Sequence, residues 1–250
     1  MKAVVCHEHG LADKLVLETN WADPDIGEHD VLIEVKAAGL NFPDVLTIQG
    51  KYQMQPPMPF IPGGECSGVV TAVGDKVTRH KVGDEVISMG SSGAFCQQIS
   101  VNEFAAFPKP RALSFEQAAG ISITYFTTYH AFKQRADLQP GERLLVLGAA
   151  GGVGTSAVEL GKQMGAHVTA CASTDEKLEI CKQLGADELI NYSDIDLKAT
   201  LKEASGGQGY DVIYDPVGGD YAEPAIRNLA WKGRYLVIGF ASGPIPSIPL

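Results

Sequence analysis

Long apolar runs, paired cysteines and positive charge are all scarce in this sequence. No apolar run reaches the ~18 residues of a membrane-spanning helix, which predicts a protein without a membrane partner. The five cysteines are scattered and form no CxxC pair, so a disulfide scaffold and a cysteine-rich zinc site are both disfavoured. The chain has 20 lysines and arginines against 30 aspartates and glutamates, and its net charge of −10 argues against a nucleic-acid-binding surface.

A secretory signal is also missing, because Met1–Glu8 contains neither a long apolar region nor a cleavage site. We therefore expect reduced thiols and a cytoplasmic location, with a mitochondrial one left open. The 250 residues suffice for one or two domains with substantial cores.

The most informative stretch begins with Leu144–Leu147, a short apolar run that predicts a buried parallel strand. The pattern Ala149-x-Gly151-x-x-Gly154 follows and opens a predicted helix over 153–164. It is the dinucleotide-binding fingerprint with its first glycine replaced by alanine. The two glycines would allow close approach of a pyrophosphate and tight packing of the helix, whose free N–H groups favour negative charge. The alternative is a tight turn that binds nothing, but a further predicted strand after the helix favours the fingerprint.

The two halves of the chain differ in their patterns. Residues 1 to about 110 show closely spaced short strands, which predicts a β barrel or sandwich. From residue 143 strands and helices alternate, and this α/β pattern predicts a doubly wound parallel sheet of five strands. The predicted domains are 1–123 and 124–250. The predicted elements of the second half are strands 143–148, 167–173, 188–192, 211–215 and 234–240, and helices 153–164, 175–184, 194–204 and 220–230.

The end of the second predicted strand in this half bears on the choice between NAD and NADP. An NAD site usually places Asp or Glu there to bind the ribose hydroxyls. Here Ser173 and Lys177 follow the strand, and their hydroxyl and ammonium groups could hold a 2′-phosphate, although Asp175 lies nearby. In the simpler alternative, Thr174 or Asp175 caps the next helix and Lys177 is solvated. We favour NADP, and the phosphate-binding role and the helix-capping role can hold together.

Further motifs occur in order along nearly the whole chain. They are Gly39-Leu-Asn-Phe-Pro-Asp44, Ile48-Gln-Gly-Lys-Tyr52, Pro62-Gly-Gly-Glu-Cys-Ser-Gly-Val-Val70, Val82-Gly-Asp-Glu-Val86, Leu184-Gly-Ala-Asp187 and Asp215-Pro-Val-Gly-Gly219. Together with the fingerprint, they resemble the medium-chain dehydrogenase/reductase superfamily, in its zinc-independent, zeta-crystallin-like NADPH:quinone oxidoreductase branch.

The resemblance implies a GroES-like β-barrel substrate domain over 1–123, a Rossmann NADP-binding domain over 124–250 and NADPH as the cofactor. It implies metal-independent hydride transfer to a small-molecule quinone or α,β-unsaturated carbonyl compound. Zinc-dependent members carry Cys where this chain has Asn41 and His where it has Gly64, so no metal site is expected. Family members form homodimers and continue past the position of Leu250 with a last sheet strand and a return segment, so we expect this chain to be truncated.

Site residues also follow from the resemblance. Asn41, Asp44 and Tyr52 would line the acceptor pocket as catalytic residues, with the Tyr52 hydroxyl as oxyanion or proton donor. Alternatively, Tyr52 packs on the proline-rich loop, and Asn41 and Asp44 organise a turn. The residues implied to contact the cofactor are Asn41, Phe42, Thr127, His130, Gly151, Gly152, Val153, Gly154, Ser173, Lys177, Tyr192, Val217, Ile238, Gly239, Phe240 and Ala241.

Two other functions stay open from the sequence. A 2-enoyl thioester reductase would share this scaffold, but it would need a roomy, partly basic channel that the sequence does not show. A non-catalytic NADPH-binding protein is the other alternative, because the expected truncation would leave an active site incomplete and the fold alone does not fix function.

Overall fold

The computed structural model describes residues 1–248 and divides the chain into two compact units, Met1–Ile123 and Thr124 onward. The strands of the first unit are β1 Ala3–Cys6, β2 Leu15–Glu18, β3 Asp30–Gly39, β4 Glu65–Val73, β5 Glu85–Met89, β6 Gln98–Asn102 and β7 Ala106–Pro108. Its helices are α1 Phe42–Ile48 and α2 Phe115–Ala119, and α3 Ser122–His130 begins at its end.

An antiparallel sheet forms the body of the first unit. Five strands pair in the order β6-β3-β4-β5-β7, while β1 pairs antiparallel with β2. Val31 and Ile33 alternate with more exposed neighbours along β3 and pack with Val70 and Val86 in a buried cluster. This is the alternation expected of strands with one buried face, and the predicted β-rich fold of this half is confirmed.

Helix α1 was not predicted, because Asn41 and Asp44 were interpreted as residues that organise a turn. Pro43 lies in the first turn of the helix, where its missing N–H would have no intrahelical partner. The Asn41 N–H donates to Asp44 Oδ2 at 2.8 Å, which satisfies a backbone donor at the helix entry. The residues proposed to organise a turn therefore cap a short helix.

The second unit alternates strands and helices after α3, which continues as a π-helical stretch over Ala131–Ala136. Its strands are β8 Arg143–Val146, β9 His167–Ala172, β10 Glu188–Asn191, β11 Tyr210–Asp215 and β12 Leu229–Val237. Its helices are α4 Gly152–Gln163, α5 Asp175–Gln183, α6 Leu197–Ala204 and α7 Ala222–Ile226.

Up to residue 248, the second unit has five strands, which run parallel in the order β10-β9-β8-β11-β12. Successive residues of β8 enter different clusters: Val146 packs with Ala157 of α4, whereas Leu145 packs with Leu201 of α6 and Ala225 of α7. Helices therefore cover both faces of the sheet, which confirms the predicted doubly wound α/β architecture. Each fully buried leucine of β8 contributes about 2 kcal/mol of apolar burial.

The end of this sheet differs from the prediction. A helix over 220–230 was expected, but α7 ends at Ile226 and β12 begins at Leu229. The pairing of β12 with β11 shifts between Tyr210↔Leu229 and Val212↔Arg234, so extra residues bulge out of β12. Lys232 in this bulge has a positive φ of 64° and Trp231 is 91% exposed, which breaks the periodicity that sequence analysis relies on.

Candidate functional site

The turn between β8 and α4 begins with Gly148, which lies just before the fingerprint pattern. Gly148 has φ +56°, and a Cβ there would lie 2.8 Å from Val217 Cγ2. Ala149 is fully buried, and its N–H donates to Cys171 O at 2.9 Å. Gly148, one residue earlier than expected, therefore supplies the left-handed conformation, and Ala149 is tolerated because it needs none.

The N-terminus of α4 has the features of an anion site. Gly151 is the N-cap, and the first i→i−4 hydrogen bond runs from Thr155 N to Gly151 O at 2.8 Å. The N–H groups of Gly152, Val153 and Gly154 precede it and so have no i−4 partner in the helix. Gly151 and Gly152 are exposed, which leaves the positive end of the helix dipole accessible.

Gly154 holds α4 close to the turn. A Cβ at this position would lie 2.2 Å from Gly148 O and 2.7 Å from Ala149 C. Both atoms belong to the backbone and cannot be moved by a change of rotamer. Only glycine fits here, which is the packing role the fingerprint assigns to its last glycine.

Ser173 and Lys177 lie together after β9. Lys177 Nζ donates to Ser173 Oγ at 3.0 Å, and the half-buried Ser173 precedes the helix cap. Thr174 is the N-cap of α5, and its Oγ1 accepts from Lys177 N at 3.3 Å. Thr174 therefore caps α5 while Lys177 contacts Ser173, so both features are present in the structure.

Asn191 at the end of β10 is a residue that the sequence analysis missed. Its Nδ2 donates to Asp175 Oδ1 at 2.8 Å, and its Oδ1 accepts from Ser193 N at 3.1 Å. Ser193 Oγ in turn donates to Ser173 O at 2.8 Å. These bonds tie the ends of β9 and β10 together, and a single Asn at the end of a strand carries no sequence signal for them.

Asp215 organises the ends of β11 and β12. It is 2% exposed, and its Oδ1 accepts from Val217 N at 2.7 Å and Gly218 N at 2.9 Å. The Tyr235 hydroxyl donates to Asp215 Oδ2, and burial together with this hydrogen bond raises the pKa of Tyr235. The motif containing Asp215 was recognised in the sequence, but this organising role was not.

Residues 238–241, which the resemblance implies to contact the cofactor, lie beside this loop. Ile238 N donates to Asp215 O at 2.9 Å, and Ala241 N donates to Pro216 O at 3.1 Å. The Phe240 ring lies against Gly218, where a Cβ would be 2.8 Å from Phe240 Cδ1. The structure thus brings 238–241 next to Val217, and Val217 next to the turn after β8.

Helix α3 exposes the two residues predicted to contact the cofactor and buries Thr128, which lies between them in sequence. Thr127 and His130 are exposed, and the His130 ring contacts Gln134 and Arg135. Thr128 is fully buried, and its Oγ1 lies 2.7 Å from Ser156 Oγ and 2.9 Å from Tyr214 Oη. This hydroxyl chain attaches α3 to α4 and β11.

Tyr192 directly follows β10 and packs partly against the core of the second unit. Its N–H donates to Ala172 O at 3.1 Å, so it lies beside the end of β9. Its half-buried ring packs on Tyr221 with centroids 4.7 Å apart, and burial raises the pKa of its hydroxyl.

Asn41 joins two buried carboxyl residues, Asp44 and Glu65, in a hydrogen-bonded network of the first unit. Asn41 Nδ2 donates to Glu65 Oε1 at 2.7 Å, and Ile123 N donates to Glu65 Oε2 at 2.9 Å. Glu65 is 2% exposed, and Asp44 is also buried. Burial raises the pKa of both carboxyls, although backbone N–H donors oppose the shift: those of Ser122 and Ile123 at Glu65, and those of Asn41, Gly63 and Gly64 at Asp44.

Phe42 and Tyr52 lie outside this hydrogen-bonded network. Phe42 is 47% exposed at the first position of α1. Tyr52 is half-buried after α1, and its carbonyl accepts from Gln55 Nε2 at 2.8 Å. The structure therefore unites Asn41 with Asp44 and adds Glu65, which the sequence had shown only as part of a motif.

The position corresponding to a histidine in zinc-dependent relatives is crowded. A Cβ at Gly64 would lie 2.9 Å from Ile123 Cδ1 and 3.6 Å from Asp44 Oδ1. Within residues 1–248, no group of three or more His, Cys, Asp or Glu side chains is arranged to hold a metal ion. None of the helices in this described range has the length and apolarity to cross a membrane.

A parallel sheet with an accessible helix N-terminus after its first strand, and a hydroxyl–ammonium pair after its second, defines a dinucleotide-binding domain. The donor set fits NADPH: main-chain N–H groups suit the pyrophosphate, and the Ser173–Lys177 pair suits an additional phosphate.

Comparisons with known proteins agree with this class. Residues 27–136 match the family described as alcohol dehydrogenase GroES-like domain, and residues 152–250 match the family described as zinc-binding dehydrogenase. The chain is 39% identical over 249 residues to a quinone oxidoreductase-like protein 2 homolog of Nematostella vectensis, covering 99% of this chain and 68% of the relative. It is 33% identical to a quinone oxidoreductase of Homo sapiens, covering 96% of this chain and 73% of the relative.

Solved structures are similarly close. An Escherichia coli quinone oxidoreductase complexed with NADPH aligns with a TM-score of 0.93 and 32% identity, over 100% of this chain and 76% of the other. The CurK enoyl reductase aligns with a TM-score of 0.87 and 31% identity, over 95% of this chain and 74% of the other. The chain belongs to the quinone oxidoreductase family of the medium-chain dehydrogenases/reductases, which confirms the resemblance.

Proposed function

We propose that this protein is an NADPH-dependent reductase that transfers hydride, without a metal, to quinones or α,β-unsaturated carbonyl compounds. The observation that carries the proposal is the position of two groups at neighbouring strands of one sheet. The accessible N-terminus of α4 follows β8, and the Ser173–Lys177 pair follows β9. The NADPH bound by the similar Escherichia coli enzyme supports the choice of nucleotide.

The second unit would be the NADP-binding domain. The N–H groups of Gly152 and Val153 would bind the pyrophosphate, because α4 directs its unpaired donors and positive dipole end there. Ser173 and Lys177 would bind the 2′-phosphate, with Tyr192 beside them. Residues proposed for the nicotinamide end are Thr127, His130, Val217, Ile238, Gly239, Phe240 and Ala241.

The first unit, 1–123, would be the substrate domain. When bound, the nicotinamide supplies a hydride, which adds to a carbon of a quinone or enone that is already electrophilic. The oxygen of the acceptor then gains negative charge and needs a hydrogen-bond or proton donor rather than a Lewis acid. Tyr52 is proposed as that donor, while Asn41 and Asp44 shape the pocket.

The residue types in this unit support the proposal of metal independence. Asn41 and Gly64 replace the Cys and His ligands of zinc-dependent members, and Asn41 Nδ2 is already bonded to Glu65. The partner would be a small-molecule acceptor. A homodimeric state and a cytoplasmic location stay predictions.

A second candidate is reduction of 2-enoyl thioesters, which the similarity to the CurK enoyl reductase favours. The chemistry is the same hydride addition to a conjugated β carbon. The acceptors differ in size, because a thioester carries a long carrier group whereas a simple quinone does not.

Loss of NADPH fluorescence on addition of para-benzoquinone, cyclohexenone or crotonyl-CoA tests the proposal. Fast NADPH oxidation by the quinone or the enone supports the preferred function. Oxidation by crotonyl-CoA alone would select the second candidate. Saturable NADPH binding without oxidation by any acceptor would leave a non-catalytic NADPH-binding protein and contradict both.

A further inference from the structure

The first turn of α5 carries two acidic residues beside the Ser173–Lys177 pair. The Glu176 carboxylate accepts hydrogen bonds from its own N–H and from the Thr174 hydroxyl at the start of α5, and these bonds lower its pKa. Asp175 accepts instead from Asn191 Nδ2 at 2.8 Å, a bond that reaches from α5 to the end of β10.

The Asn191 amide is fixed in this orientation. Its Oδ1 accepts from Ser193 N at 3.1 Å, so a flipped amide would lose this bond and turn an oxygen toward the Asp175 carboxylate. Asn191 is also half-buried and paired with Ala172 in the sheet, which holds its backbone.

This arrangement matters because the same carboxylate can favour either nucleotide. An acidic group after the second strand accepts hydrogen bonds from the ribose hydroxyls of NADH, whereas it repels a 2′-phosphate. Asn191 engages one oxygen of the Asp175 carboxylate, while the Lys177 ammonium is bonded to Ser173.

We infer that Asn191 is a specificity-determining positioning residue: it restrains the Asp175 carboxylate and thereby favours NADPH over NADH. The inference rests on the proposed function. It requires that the effect of Asn191 be transmitted through Asp175, and so it predicts that removing the charge of Asp175 makes Asn191 irrelevant to the choice of nucleotide.

Equilibrium titrations of the full chain with NADPH and with NADH, followed by nucleotide fluorescence, test this coupling. The variants are Asn191→Ala, Asp175→Asn and the double variant. Asn191→Ala is expected to lower the ratio of NADPH to NADH affinity about threefold, the size of a surface electrostatic effect. In the Asp175→Asn background the same change should leave the ratio unaltered.

Glu179→Gln is the matched control, because it removes the same charge from α5 at an exposed position that pairs with Lys182. The ratio should not change in that variant. Should Asn191→Ala lose its fold by circular dichroism, the near-isosteric Asn191→Asp carries the test and should lower the ratio further, because it sets a second carboxylate against Asp175.

Three results would overturn the inference. The first is an unchanged ratio of NADPH to NADH affinity in a folded Asn191→Ala or Asn191→Asp protein. The second is an equal fall of this ratio on Asn191→Ala with and without Asp175→Asn, because Asn191 would then act only through its turn with Ser193. Failure of the unmodified chain to bind either nucleotide would remove the proposed function together with the inference, whereas the first two results leave the proposed function intact.

Discussion

The polar groups proposed to meet the cofactor phosphates in the second unit belong largely to the main chain, whereas the polar network of the first unit is made of buried side chains. At Gly154 in α4 a side chain is excluded, since a Cβ there would lie 2.2 Å from Gly148 O. In the first unit, Asn41 instead bonds a buried carboxylate, Glu65, across 24 positions of sequence.

Substitutions in the two regions should therefore have different consequences. A main-chain site depends on how closely two backbone segments approach, so a single methyl group can displace it. A side-chain network depends on protonation and on its partners, so its loss should change pH dependence or turnover while the backbone stays in place.

The largest effect is expected from Gly154→Ala, which tests the main-chain region. The added methyl group meets backbone atoms, so the start of α4 must move, at a cost of ~3 kcal/mol or more and with loss of measurable NADPH binding. Thermal unfolding and NADPH titration measure both. Gly120→Ala is the control, because its nearest contact would be at 4.0 Å, and equal behaviour of the two variants would refute the packing role of Gly154.

Tyr52→Phe tests the side-chain region next. Removing a proton or hydrogen-bond donor from the acceptor site should lower kcat about a hundredfold, while the Kd for NADPH stays the same. Steady-state kinetics with a simple quinone, paired with NADPH titration, separates the two quantities. An unchanged kcat would contradict the donor role and favour the alternative that Tyr52 only packs on the proline-rich loop.

Lys177→Ala sharpens the account of the 2′-phosphate. Loss of a charge-assisted hydrogen bond should weaken NADPH about tenfold and leave NADH nearly unaffected. Lys182→Ala on the same helix serves as the control, because Lys182 pairs with Glu179 rather than with Ser173. An equal loss for both nucleotides in Lys177→Ala would remove this residue from phosphate recognition.

The smallest effect concerns the pH dependence of stability in the first unit. Burial raises the pKa of Glu65, so the folded protein keeps this proton to higher pH than the unfolded chain. The stability contributed by Glu65 is therefore complete below the usual glutamate pKa and falls as pH rises through the raised value. Glu65→Gln should gain stability relative to the unmodified chain across that window, as measured by unfolding at a series of pH values.

Glu103 offers an opposite-sign control in the same unit. Backbone N–H groups of Thr78 and Arg79 lower the pKa of Glu103, so its stabilising contribution is present above the usual glutamate pKa and is lost as pH falls through the lowered one. Glu103→Gln should therefore lose stability relative to the unmodified chain as pH rises. Slopes of the same sign in the two variants would contradict the account of Glu65.

Much of the second unit could be predicted from sequence because its signals are local. The fingerprint, the strand after it and the Ser173–Lys177 pair all depend on residues within a few positions of one another. The contact of Asn191 with Asp175 joins residues 16 apart on different elements, and no periodicity reports it. The bulge at Lys232 was missed for a related reason, since its extra residues interrupt the two-residue period of β12.

The first unit was predictable as a set of strands but not as a site. Closely spaced short strands can be recognised in the sequence, whereas the seven-residue α1 is too short to show a helical period and contains Pro43. The bond between Asn41 and Glu65 depends on how α1 lies against β4, which only the tertiary structure specifies.

The central claim, that the second unit holds NADPH through main-chain donors and the Ser173–Lys177 pair, is tested most directly by fluorescence titration of the full chain with NADPH and with NADH. The account predicts saturable binding of both, with NADPH about tenfold tighter because of its 2′-phosphate. Equal affinity for the two nucleotides, or binding of neither, would contradict it.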